Sequence, residues 1–183
     1  VPNLSGPLNS IRGSLTGNAF GPGGSDFQDM YKIFIPTPSA FFAESLVVAG
    51  GFDIQLWLFD ESGLGVLGND NAMSITDQAA FGPATDDATP GLVAPGIYYL
   101  AISGAGSDPF SAGGEIFDFA TPTEVSGPDG LGGSLPIAFW TEPGAIGEYY
   151  IELTGVEFVP APATLLVLGF GGLLTARGRR RSA

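Results

Sequence analysis

From residue 9 onward the chain alternates apolar and polar side chains over short stretches, each closed by glycine, proline, asparagine or aspartate. Alternation with period two predicts half-buried β-strands, and proline-containing clusters delimit them because proline cannot donate to a ladder. The pattern predicts strands over residues 9–16, 28–35, 41–49, 53–60, 64–68, 97–103 and 147–156. The clearest is DIQLWLFD, where Ile54, Leu56 and Leu58 face one way and Asp53, Gln55, Trp57 and Phe59 the other. Glu61-Ser62-Gly63 then supplies a tight turn, so that strands 53–60 and 64–68 form a hairpin. Residues 69–87 are polar, with room for one short element near 73–80, and Asp86-Asp87 reads as a solvated loop. Residues 104–114 and 121–133 also read as loops, with a short edge strand between them at 115–119. Nothing before residue 159 sustains a 3.6-residue apolar period. The expected fold is a single all-β body, residues 1–158: an antiparallel β-sandwich of jelly-roll type.

The pattern changes at residue 159. Val159, Pro160, Ala161 and Pro162 are followed by a run without charge from Ala163 to Ala176, then by Arg177, Arg179, Arg180 and Arg181. Fourteen apolar-run residues, or eighteen counted from Val159, reach about 21–27 Å as a helix, against a hydrocarbon core of about 30 Å. The expectation is a short hydrophobic helix over this stretch, with the arginines snorkelling to the cytoplasmic interface and the body held outside.

Charge sharpens this division. All nineteen acidic residues precede residue 159, where Arg12 and Lys32 are the only basic ones, so the body carries a formal −17 against −13 for the whole chain. Such a field repels phosphates, which makes nucleic acid a poor partner and favours divalent cations or basic partners. The chain has neither cysteine nor histidine. Disulfides, thiolate metal sites, a Cys nucleophile and a Ser–His–Asp triad are therefore excluded for this chain, leaving carboxylate-pair chemistry. Its first residues, VPNLSGPLNSIRGSL, show no basic, apolar leader pattern. Export would require a signal peptide that has been removed or omitted.

The order of the last 25 residues resembles the PEP-CTERM sorting signal of Gram-negative surface proteins. There a Val-Pro-Glu-Pro-like motif, a hydrophobic helix and an Arg-rich end are recognised by an exosortase, a membrane protease-like enzyme. Ala161 stands here where that motif has Glu. The resemblance implies export, transient insertion in the inner membrane, processing near VPAP and release to the cell surface or extracellular matrix. A plain C-terminal membrane anchor is the simpler alternative.

A second resemblance spans residues 26–104, with the strand at 147–154 closing it. Asp26, Asp29 and Tyr31, the stretch FDIQLWLFDESG, the pair Asn69-Asp70 and the strand PGIYYLAISG look like the bacterial pre-peptidase C-terminal (PPC) β-sandwich. A large insertion separates Ser107 from Ile146. The resemblance implies an accessory, noncatalytic module, of a kind that in some members binds calcium or polymeric substrates.

Candidate chemistry rests on carboxylates and aromatics. Asp26, Asp29, Asp53, Asp60, Asn69 and Asp70 lie at strand ends and turns, where oxygen ligands for calcium could gather. The same residue types also suit turn geometry, so solvated turn acids are the competing reading. No segment fits a twelve-residue EF-hand loop. Trp140, in FWTEPG, is the candidate for stacking on an extracellular polysaccharide. The expected role is that of a noncatalytic surface or matrix protein. The alternatives are a calcium-dependent carbohydrate-binding module and a glycan-active enzyme.

Overall fold

The computed structural model describes residues 6–18, 25–46, 48, 51–74 and 76–159. Eleven strands follow in order: β1 (Ser10–Leu15), β2 (Gln28–Ile35), β3 (Phe42–Leu46), β4 (Ile54–Asp60), β5 (Gly65–Asn69), β6 (Ala80–Phe81), β7 (Gly96–Gly104), β8 (Pro109–Ser111), β9 (Gly114–Glu115), β10 (Ile137–Trp140) and β11 (Gly147–Thr154). All pairings are antiparallel. Sheet A has the order β2-β7-β4-β5, sheet B the order β1-β11-β3-β6, and a small third sheet the order β10-β8-β9.

Sheets A and B face each other, as in a sandwich. The alternation that predicts the strands also fills the space between them. Ile33 and Ile35 of β2, Ile54, Leu56 and Leu58 of β4, and Leu100 and Ile102 of β7 meet Ile11 and Leu15 of β1 and Tyr149, Ile151 and Leu153 of β11. Each fully buried aliphatic side chain contributes about 1.5–3 kcal/mol through removal of apolar surface from water. This core is the main support of the fold.

The seven strands expected from alternation all occur, with ends shifted by a few residues. The loops hold more structure than their sequence suggests. Between β7 and β11, a stretch read mostly as loop contains β8, β9 and β10 and folds back over the outer face of sheet A. It buries Ile116 and Phe117 against Trp57, Phe59 and Ala101, with Tyr99, Phe119, Ile137 and Trp140 around them. The Trp57 ring lies 5.2 Å from Phe117 and 5.6 Å from Phe119, and its Nε1–H donates to Ser103 Oγ at 2.8 Å. Strand β4 is therefore buried on both faces, and only its last residue, Asp60, escapes full burial. Gly68 on β5 lets the strand pass close to Trp57, because a Cβ there would stand 2.8 Å from the indole ring.

Asp86-Asp87 lie in an irregular loop, Asp86 exposed and Asp87 half-buried, and both also pin this covering segment. Asp86 Oδ2 accepts from Val125 N at 2.9 Å, and Asp87 Oδ2 accepts from Gly127 N at 2.7 Å. Asp87 Oδ1 accepts from Thr89 N and Oγ1 at 2.9 and 2.6 Å.

At the end of the body, Leu8 N donates to Val156 O, and Glu157 exchanges hydrogen bonds of 2.8 and 3.0 Å with Phe34 of β2. Among the described residues no helix is long and apolar enough to cross a membrane, and the helical segment found is a 3-10 turn at Pro38–Ala40. The hydrophobic helix expected after residue 162 lies outside the described residues.

Candidate functional site

The six residues nominated for calcium do not gather into one set. Asp26 closes the β1–β2 connection: its Oδ2 accepts from Thr16 N at 2.9 Å and Thr16 Oγ1 at 2.5 Å. Asp29 faces the sandwich interior, where its Oδ2 accepts from the Tyr149 hydroxyl at 2.5 Å. The Tyr31 hydroxyl lies 2.6 Å from that of Tyr149. Burial first, then the hydrogen bonds to Asp29 and Tyr31, push the Tyr149 hydroxyl far above its ordinary range.

Asp60 caps the β4–β5 hairpin through Oδ1, which accepts from Ser62 N at 2.8 Å and Leu64 N at 3.0 Å. Gly63, with φ at +83°, completes that turn in a conformation that disfavours a side chain. Asn69 is wholly buried. Its Nδ2 donates to the carbonyls of Asn71 and Glu124, and its Oδ1 accepts from Ala80 N at 2.9 Å. Asp26, Asp60 and Asn69 hold loops to strands, as turn-forming residue types commonly do, while Asp29 links β2 to β11 across the interior.

Asp53 and Asp70 differ. Strand register explains where they sit. Leu56 pairs with Asn69 and Gln55 with Ser103. Continuing the β4–β5 ladder sets Asp70 beside Gln55, with Asp53 one pleat further on the same outer face of sheet A. Diagonal neighbours of this kind are about 7–8 Å apart, within reach of one shared ligand. Two bonds fix the corner: Ala105 N donates to Asp53 O, and Ile54 N to Asp77 O, both at 3.0 Å. Asn71 Nδ2 donates to Asp70 Oδ2 at 3.0 Å, and Gln55 Nε2 to Asp108 Oδ1 at 3.0 Å.

The electrostatics of this corner are unfavourable to charge. Burial, then the neighbouring carboxylates of Asp53 and Asp108, push Asp70 up to about 6; Gln55 opposes the shift and Asp77 adds to it. Burial and then Asp77 also raise Asp53. Three oxygens here, Asp53 Oδ1, Asp70 Oδ1 and Asn71 Oδ1, are buried and have no hydrogen-bond partner among the described residues. Buried acceptors are normally satisfied, so three at one corner require a cause. Among the described residues no three acidic side chains converge as a metal ligand set by themselves. An ion here would have to use the Asn71 amide oxygen beside the two carboxylates.

The sequence pattern does not single out Asn71, Asp77 or Asp108. Asn71 follows Asn69-Asp70 directly, and that Asn-Asp-Asn run was the available signal. Asp108 reaches the corner only because the segment after β7 folds back over sheet A.

Trp140, the candidate stacking residue, is half-buried. It stands edge-on to Trp57 at 6.4 Å and to Phe59 at 6.3 Å, so it packs the second core. Its neighbour Phe139 is 52% exposed and lies against Phe110 at 5.6 Å. A shallow groove of about 460 Å³ between Pro38, Ser39, Pro83, Ala84, Leu92 and Val93 has no titratable side chain in its lining. Of the sorting-signal residues, Val159 is half-buried at the end of the body, one residue after Phe158, whose N–H donates to Gly6 O at 3.0 Å. Pro160, Ala161, Pro162, Arg177, Arg179, Arg180 and Arg181 lie outside the described residues. No family model, curated protein or solved structure matches this chain.

Proposed function

We propose that this chain is a noncatalytic bacterial surface or extracellular-matrix protein, exported and then delivered by a C-terminal sorting signal. One observation carries the reading: VPAP, an uncharged apolar run and four arginines follow in that order directly after a folded acidic body. In this reading the apolar run lodges in the inner membrane with its arginines on the cytoplasmic side. An exosortase-type protease then acts near VPAP, and the body passes to the cell surface or its surroundings. Glu157 and Phe158, directly before the motif, are still hydrogen-bonded to the body.

We also read the connectivity as a jelly roll. Its support is the distribution of eight strands as β1-β11-β3-β6 and β2-β7-β4-β5, the order of two interleaved Greek keys. In that scheme β8, β9 and β10 are an insertion before the last strand.

Intact mass of the mature protein tests the sorting reading, with the chain expressed in a host carrying an exosortase and in a matched host without one. The expected result is loss of the tail's mass in the first host only, abolished by Pro160→Ala with Pro162→Ala. An uncut, membrane-held chain in both hosts would overturn the reading and leave a permanently tethered sandwich.

A further inference from the structure

We propose that this chain cuts itself at the bond between Asp108 and Pro109, with the Asp108 side chain as nucleophile and Thr141 holding the carbonyl that reacts. The inference is independent of how the tail is processed. Asp108 is the only aspartate in the chain that a proline follows. Proline makes a tertiary amide, whose nitrogen is a better leaving group than that of an ordinary peptide.

The fold fixes the polar groups of Asp108. Its N–H donates to Thr141 Oγ1 at 2.7 Å, its carbonyl accepts from Thr141 N at 2.9 Å, and its Oδ1 accepts from Gln55 Nε2 at 3.0 Å. Thr141 is held in turn, because its hydroxyl donates to Gly106 O at 3.1 Å. The bond to the carbonyl is the one that bears on chemistry. When a nucleophile adds to that carbon, negative charge develops on the oxygen to which Thr141 N–H already donates. A donor in place before the reaction stabilises such an oxyanion without rearrangement. A nucleophile on the same residue also has the advantage of proximity over any external one.

The steps need only water. A carboxylate oxygen of Asp108 attacks the Asp108 carbonyl carbon and closes a five-membered cyclic anhydride. The bond from that carbon to the Pro109 nitrogen breaks, its electron pair stays on the nitrogen, and the nitrogen takes a proton from solvent. Water then opens the anhydride. Asp108 becomes a C-terminal residue with two carboxyl groups, and Pro109 a new N-terminal amine. Asp108 is half-buried and within reach of water, whereas Pro109 is buried at the start of β8.

The carboxylates that interact with Asp108 are those of Asp70, just after β5, and Glu115, on β9. Burial first, then Asp53 and Asp108, push Asp70 up to about 6, and burial followed by Asp108 also raises Glu115. In mild acid Asp70 therefore carries a proton and ceases to oppose charge on the reacting oxygen.

The two products would stay together. Residues 1–108 hold β1 to β7, and residues 109–183 hold β8 to β11 with the tail. Strand β11 stays paired with β1 and β3, and Ile116 and Phe117 stay packed on Trp57. Cleavage would replace the covalent link between the tail and the first seven strands by these contacts alone.

The test uses the purified full chain in mild detergent at about pH 5, folded in one sample and in concentrated urea in the other. Intact mass is followed with time under denaturing conditions. Fragments 1–108 and 109–183 should appear at least about tenfold faster from the folded chain, because only the fold presents the Thr141 N–H. Asp108→Glu, which moves the carboxyl one carbon away, and Pro109→Ala, which restores an ordinary peptide bond, should both stay whole. Should Asp108→Glu fail to fold, Pro109→Ala decides, since it leaves the Asp108 side chain in place. Size exclusion without denaturant should show the cut chain as a single particle. The proposal is overturned if the folded chain stays whole or is cut no faster than the unfolded one, which would be ordinary acid lability. Cutting of Pro109→Ala at the parent rate equally overturns it, because a contaminating protease would then be the agent.

Discussion

Asp87 shows how a single carboxylate can hold a segment that has no regular structure. Burial raises its carboxyl, but the hydrogen bonds from Thr89 and Gly127 outweigh this and lower it below the ordinary 3.8. A carboxylate with a depressed folded value stabilises fully above the unfolded value, and its contribution fades as pH falls through the folded one. Asp87→Ala should therefore cost about 1–2 kcal/mol at pH 7, allowing for partial exposure. The difference from the parent should shrink below about pH 4, because protonation removes the same interaction. Denaturant unfolding at pH 7 and pH 3 measures this; an equal difference at both would assign the effect to packing alone. Residue-level roles were only partly legible in the sequence. Asp60 followed by Ser62 and Gly63 announces a capped turn through local spacing. Asp87 does not announce its bond to Gly127, forty positions away. Asp53 and Asp70 stand out as acids at strand ends, but their meeting depends on register between strands, which no local pattern encodes.

The two faces of β4 separate what an element's sequence can and cannot disclose. Alternation places Ile54, Leu56 and Leu58 against sheet B, and the structure agrees. It places Trp57 and Phe59 on the other face without saying what covers them. The cover comes from Ile116, Phe117, Phe119, Ile137 and Trp140, scattered over short strands and turns that show no repeating period. A long connection rich in glycine and proline thus reads as loop although it carries a core of its own. The dependence should be measurable. Trp57→Ala should cost about 3–5 kcal/mol, as expected for a large buried ring. Gly68→Ala should cost about 1–3 kcal/mol, because its added Cβ displaces the same ring. These two losses should combine to less than their sum, since both disturb one contact. Full additivity in a double-mutant cycle would place the glycine's effect elsewhere.

Charge belongs to the whole molecule. With nineteen acidic residues against two basic ones before residue 159, the compact body repels itself, and screening should relieve that strain. In the presence of chelator, raising sodium chloride from about 20 mM to about 500 mM should lift the melting temperature by a few degrees. A flat or falling response would mean that the acids are too well spread for their mutual repulsion to matter. The overall architecture was the most legible level, because strand alternation, turn residues and charge asymmetry each recur along the chain. The position of β11 has a mechanical consequence. It lies between β1 and β3 and is the last strand before the tail. A pull on the tail, whether from a membrane or a polymer network, therefore loads β11 along its own axis. To slide out, it must shear two hydrogen-bonded ladders together rather than peel them apart bond by bond. The sandwich is gripped by a strand that is paired on both sides.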